Sequence, residues 1–130
     1  MLRYKVQGNK STRIRFFLNL QNISKDRNTR LTERELEIMT QFLSLDEESS
    51  KHRRFAKWGK DRVIQRFNNY NQVITLSTLN NFIQSTKDKG WLQEDSDNVK
   101  YPSKEIKEFL KNTETQIMFT LQDLKKDETQ

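Results

Sequence analysis

The sequence predicts an α+β domain: a helical core with a small antiparallel sheet formed by a two-stranded ribbon and by strands near both ends of the chain. Three observations predict it. Apolar residues recur at helical spacing in 31–45 and 75–90, each stretch opened by a capping hydroxyl. The second stretch runs directly into two short segments around Ser96-Asp97-Asn98, a tight-turn composition. Segments 2–6, 13–20 and 115–122 alternate apolar and polar residues with the period of a half-buried strand.

Taken in order, Leu2, Tyr4 and Val6 alternate along a first expected strand, and Gly8-Asn9 can turn. Arg13–Leu20 alternates again, with Ile14, Phe16, Leu18 and Leu20 facing one way and Phe17 breaking the pattern. Residues 1–30 hold eight basic side chains against one acidic one. That imbalance reads either as a basic arm near phosphates or as a solvated strand face plus a loop. Asn22–Arg30 is polar and aperiodic, hence a loop. In the helix over 31–45, Thr32 and Glu35 have capping-box spacing, and Leu31 stands as the staple residue before the cap. Leu36, Met39, Phe42 and Leu43 give its apolar stripe, while Glu33, Glu35 and Glu37 suit the positive end of the helix dipole.

Lys51–Arg66 is the densest basic run, seven Lys or Arg against one Asp. Gly59 is expected to break it, with a short helix following over Lys60–Asn68. Phe55 and Trp58 anchor the run against the core, since each hides a large apolar area. Asn69–Gln72 turns into the next helix, which Thr75 or Ser77 caps and which carries Leu79, Phe82, Ile83 and Thr86 on one face. Gly90 sits where a helix ends in a left-handed residue. Trp91-Leu92 and Val99–Tyr101 make the ribbon, which Pro102 ends because it has no N–H to donate. Ser103 caps a short helix over Lys104–Leu110, and Thr115–Gln122 is a strand expected to pair with Arg13–Leu20. The organisation is one domain: N-terminal basic strands and loop over 1–30, a core over 31–111, and a C-terminal strand with a polar tail over 112–130.

The order helix, short helix, helix, ribbon, and above all TLSTLNNFIQSTKDKG followed by the ribbon, resembles the winged helix-turn-helix DNA-binding family of bacteria and phages. The resemblance covers about residues 31–110. It implies that helix 75–90 enters the major groove with Ser77, Thr78, Asn81 and Gln84 at base edges, where amides pair with adenine and hydroxyls bond less selectively. It implies phosphate contacts from Arg53, Arg54, Lys57, Lys60 and Arg62, from Lys87 and Lys89 at the helix end, and from Lys100 and Tyr101 on the wing. Each of these side chains would also suit a solvated surface.

Composition excludes several chemistries. There is no Cys, so no disulfide, thiolate or cysteine-zinc chemistry, and His52 is the one histidine, so no multi-histidine metal site. DSDN at 95–98 lacks the rest of a calcium loop, and neither a Walker motif nor a dinucleotide fingerprint occurs. No catalytic residue, metal or cofactor is expected. No apolar run reaches the roughly 18 residues of a membrane span, and the N-terminus lacks an apolar signal core, so a cytoplasmic protein is expected.

A net charge of +6, from 24 Lys and Arg against 18 Asp and Glu, favours an acidic partner. The expectation is therefore a double-stranded DNA-binding protein, a transcriptional regulator or replication accessory protein. A composition rich in Asn, Lys and Phe looks like that of phages, plasmids and bacteria with AT-rich genomes. Specific binding would call for a homodimer, because paired half-sites need paired helices. The alternative is a non-catalytic protein–protein interaction module or phage assembly component, located in the virion, that docks a protein partner in a larger assembly. Basic residues Arg53, Arg54, Lys57 and Arg62 on the side of Thr78 and Asn81 would favour DNA. An exposed patch of Phe17, Phe55 or Trp58 would favour a protein.

Overall fold

The computed structural model describes residues 10–45 and 53–111. Its elements are α1 (Lys10–Ile23), a single 3-10 turn (Arg27–Thr29), α2 (Glu33–Leu43), α3 (Lys57–Asn69), α4 (Leu76–Asp88), β1 (Leu92–Glu94) and β2 (Lys100–Pro102). A last helix, α5, covers 104–111. The class is mixed α and β, and the sheet among the described residues is the antiparallel β1–β2 pair. The expected strands at 2–6 and 115–122 lie outside the described residues.

The expected strand Arg13–Leu20 is instead the body of α1. Alternation places Ile14, Phe16, Leu18 and Leu20 on one face, but only Ile14 and Leu18 are buried, and Leu20 is 55% exposed. Ile14 and Leu18 stand at i and i+4, and Phe17, which interrupts the alternation, packs against the core and stacks on Phe109 of α5 at 4.1 Å. Those are helical neighbours. The period of 3.6 and the period of 2 share enough positions in an eight-residue run that tertiary packing decides between them.

The start of α2 follows its sequence. Thr32 Oγ1 accepts from the Glu35 N–H at 3.1 Å, and Glu35 Oε1 accepts from the Thr32 N–H at 2.9 Å. Leu31 and Leu36, at the staple positions, are both buried. Just upstream, the Asn22 side chain clamps the Leu31 backbone, accepting from its N–H at 2.7 Å and donating to its carbonyl at 3.1 Å. The buried face of α2 carries Phe42, which stacks on Phe82 of α4 and lies 4.9 Å from Phe55, centroid to centroid.

Helix α3 begins earlier than expected and runs through Gly59, which does not break it. Its end and that of α4 use the same device. Asn71 has φ 59° and Gly90 has φ 87°. The Gln72 N–H returns to the Phe67 carbonyl at 2.9 Å, and the Trp91 N–H to the Thr86 carbonyl at 2.9 Å. Both are Schellman closures, which need a left-handed residue after the cap. Asparagine tolerates that conformation at some cost, and glycine at little. The first closure turns the chain from α3 into α4, and the second turns α4 into the ribbon.

The cap of α4 is Thr75, whose Oγ1 accepts from the Thr78 N–H at 3.1 Å. Leu79, Phe82, Ile83 and Thr86 are all buried, as their spacing predicts. The Thr86 hydroxyl donates to the Phe82 carbonyl at 2.8 Å, so a buried polar group is satisfied within its own helix. In the ribbon Leu92 pairs with Pro102, Gln93 with Tyr101 and Glu94 with Lys100. Asp95 Oδ1 accepts from the N–H groups of Asp97 and Val99, closing the turn in which Asn98 has φ 62°. Trp91 is buried at the ribbon's root, its indole N–H donating to the Thr29 carbonyl at 2.7 Å.

Candidate nucleic-acid interface

The outward face of α4 is polar because the apolar residues are spent on the opposite one. Ser77, Thr78, Asn80, Asn81 and Gln84 are all exposed. Leu76, Asn80 and Gln84 follow at i, i+4 and i+8, forming one row along the helix. Among the described residues, the side chains of Ser77, Asn80 and Asn81 have no hydrogen-bond partner. The Thr78 hydroxyl lies 2.9 Å from that of the cap Thr75, and the Gln84 amide donates to Asp88 at 3.0 Å.

The basic run divides between two sides of α3. Lys57 and Lys60 border a groove whose other walls are Asn80, Ile83 and Gln84 of α4 and Asn98, Val99 and Lys100 at the ribbon, with Phe55 also lining it. Neither lysine has an ion-pair partner among the described residues. Trp58, Arg62 and Arg66 lie instead along the flank facing the end of α2, where Arg66 donates to Ser44 Oγ at 2.5 Å. The guanidinium carbons of Arg62 and Arg53 sit 4.1 and 4.9 Å from the Trp58 ring centroid. Stacking of this kind holds a guanidinium over the ring while its in-plane N–H groups can still donate. Arg54 is only 7% exposed, so its position does not present it to a phosphate. Basic residues and the α4 face thus share a side at Lys57 and Lys60, and not at Arg62.

The cations at the end of α4 and on the ribbon are engaged internally. Glu94 accepts from Lys87 at 2.6 Å and from Lys100 at 3.0 Å. Lys87 holds the Glu94 carboxyl below the usual carboxylate range, with Lys100 adding to the effect, and Glu94 in turn raises the Lys87 ammonium. Lys107 lies over the Tyr101 ring at 4.8 Å, and Tyr101 is half-buried. Two of the ribbon's carboxylates are therefore occupied, Glu94 by lysines and Asp95 by the turn, while Asp97 is exposed.

Lys89 donates to Glu35 Oε1 at 2.6 Å, and Ser85 donates to Glu35 Oε2 at 2.8 Å. One carboxylate thus fastens the start of α2 to the end of α4. Burial alone would raise the Glu35 pKa, but Lys89, the Thr32 N–H and the Ser85 hydroxyl outweigh it, so the group titrates below its ordinary value. A depressed folded-state pKa means that the unfolded chain binds more protons near the Glu range. The stabilisation is complete above that range and is lost as pH falls through it toward the folded value. Glu35→Gln should cost about 1–2 kcal/mol at neutral pH and flatten the acid limb of stability against pH. Urea titrations at several pH values check this; an acid limb equally steep in both proteins would show that Glu35 does not contribute to it.

An apolar patch of Phe17, Phe55 and Trp58 is not presented: Phe55 is buried, Phe17 stacks on Phe109 and Trp58 lies against two arginines. The exposed large apolar residues among the described ones are Leu20 and Ile23 on α1 and Tyr70, Val73 (83% exposed) and Leu76 (50% exposed) at the turn and start of α4. Sequence reading missed Leu76 and Asn80, because helical spacing alone does not show which polar edge of α4 faces the lysines of α3. Among the described residues no group of His, Cys, Asp or Glu could hold a metal, and no helix is long and apolar enough to cross a membrane. No protein-family model matches this chain, and no curated protein or solved structure matches it.

Proposed function

We propose that the protein binds double-stranded DNA through α4, as a small transcriptional regulator or replication accessory protein with a winged helix-turn-helix core. The observation that carries this reading is the groove in which Lys57 and Lys60, without ion-pair partners among the described residues, stand beside the amides of Asn80 and Gln84 and the ribbon turn. Unneutralised cations next to an exposed amide-bearing helix suit the two halves of DNA recognition: phosphates fix position and base edges give selectivity. Lys87, Lys89 and Lys100 are paired with two carboxylates, Glu94 and Glu35, which leaves one net positive charge among them, so they add less to affinity than their number suggests. Specific binding would pair two copies of α4 across a two-fold site, and hence require a homodimer.

Fluorescence anisotropy with a short duplex across a salt series tests the reading. Affinity should fall steeply with salt, and Lys57→Ala/Lys60→Ala should flatten the slope of log K against log salt by about 0.9 for each phosphate no longer neutralised. Arg53→Ala/Arg62→Ala should change the slope less. The absence of binding at low salt would sink the proposal. A second reading, docking of a protein partner, draws on the exposed Tyr70, Val73 and Leu76.

A further inference from the structure

The outward face of α4 has a composition that bears on which base pairs it fits. Five residue types on that face could meet a base: the hydroxyls of Ser77 and Thr78, the amides of Asn80, Asn81 and Gln84, and the apolar side chain of Leu76, with Val73 just before the helix. Arginine, the commonest reader of guanine, does not occur in α4. Its lysine, Lys87, is held by Glu94 at 2.6 Å. Amides pair bidentately with adenine, and apolar side chains contact the thymine methyl. Both halves of an A·T pair therefore have a matching group here, whereas guanine is left with hydroxyls, which bond to either purine, and with no unpaired Lys or Arg of α4.

Exposure makes the apolar half of this match informative. Val73 and Leu76 are 83% and 50% exposed, although neighbouring Ile74 and Leu79 show that the same segment can bury its aliphatic side chains. Leu76 begins the row that continues through Asn80 and Gln84, and the latter two border the groove holding Lys57 and Lys60. An aliphatic group and the free amide of Asn80 thus lie in one row, and Asn80 shares the groove with the unpaired cations, which complements a methyl-bearing groove flanked by phosphates. We infer that Leu76, with Val73, selects A·T-rich duplex by contacting thymine methyl groups in the major groove, with Asn80 supplying an adenine contact from the same row.

This inference rests on the DNA-binding reading, and one experiment separates the two. Three short duplexes of equal length are compared at low salt: an A·T duplex, the same duplex with uracil in place of thymine, and a G·C duplex. Uracil removes only the C5 methyl and keeps the pairing and the minor-groove edge. The wild-type protein should bind the thymine form more tightly than the uracil form by about fourfold for each methyl contacted, and the G·C duplex more weakly still. Leu76→Ala, at an exposed site where circular dichroism should show an unchanged fold, should narrow the thymine-over-uracil difference, and Val73→Ala/Leu76→Ala should narrow it further. Equal wild-type affinity for those two forms, or a preference for G·C, would overturn the inference while leaving DNA binding in place. Failure to bind any of the three would remove the DNA-binding reading and this inference with it.

Discussion

Phe42→Ala should lower the unfolding free energy by about 3–5 kcal/mol. The ring is fully buried and is shared by three parts of the chain. It belongs to α2, it stacks on Phe82 of α4 at 5.8 Å, and it lies 4.9 Å from Phe55 in the turn that leads into α3. Truncation removes the transfer free energy of the ring and leaves a void that helices tied at both ends cannot close. The neighbours on either side are themselves rings, whose dispersion attraction weakens across the gap. Stabilities of domains this size are about 5–15 kcal/mol, so one such change would remove a large share of the total. Urea denaturation would read it as a lower midpoint at nearly unchanged slope. A loss under about 1 kcal/mol would mean that the site collapses around the cavity and that Phe42 is not what joins α2 to α4. Phe42→Leu keeps most of the volume and should cost distinctly less, which separates a packing effect from a disturbed α2.

Elements with local chemistry were legible in the sequence, and elements defined by their partners were not. Thr32 with Glu35, Gly90 and the turn at Ser96–Asn98 each satisfy backbone groups within a few residues, so they show in the sequence alone, while the α4 cap is narrowed there to Thr75 or Ser77 and the part of Asp95 in the turn is not seen. The stripe Leu79, Phe82, Ile83 and Thr86 was legible because four positions fix a helical period without ambiguity. Helix α1 was not, since Ile14 and Leu18 satisfy both periods and only their burial beneath α2 chooses between them. The candidate interface divides the same way. That Ser77, Asn81 and Gln84 are exposed follows from the stripe opposite them. That Lys87 and Lys100 meet on Glu94, that Lys89 meets Glu35, and that Arg54 is buried depends on how α4, the ribbon and α2 come together. Sequence distance gives no warning of an ion pair between positions 35 and 89.

Gly59→Ala should destabilise the protein by about 2 kcal/mol or more, although helix propensity argues for the opposite sign. Glycine inside a helix is about 1 kcal/mol worse than alanine, so an unconstrained Gly59 would be improved by the change. The geometry around it reverses that. A Cβ at position 59 would stand 1.6 Å from the Arg54 carbonyl oxygen and 2.5 Å from its carbon, both backbone atoms that cannot rotate aside. The turn they belong to is closed by the N–H groups of Ala56 and Gly59, which donate to the Arg53 carbonyl at 3.1 and 3.2 Å. Relief therefore requires the whole turn to move, and Phe55, whose ring packs on Phe42, moves with it. Overpacking a fixed site costs about 1–3 kcal/mol even before the loosened Phe55 packing is added, which exceeds the propensity gain. The displaced turn also leads into Lys57 and Lys60, so on the proposed function the variant should bind duplex DNA more weakly even where it remains folded. Thermal denaturation decides the sign: a melting temperature raised by Gly59→Ala would show that the turn does not press on α3, and that the glycine has no packing role there.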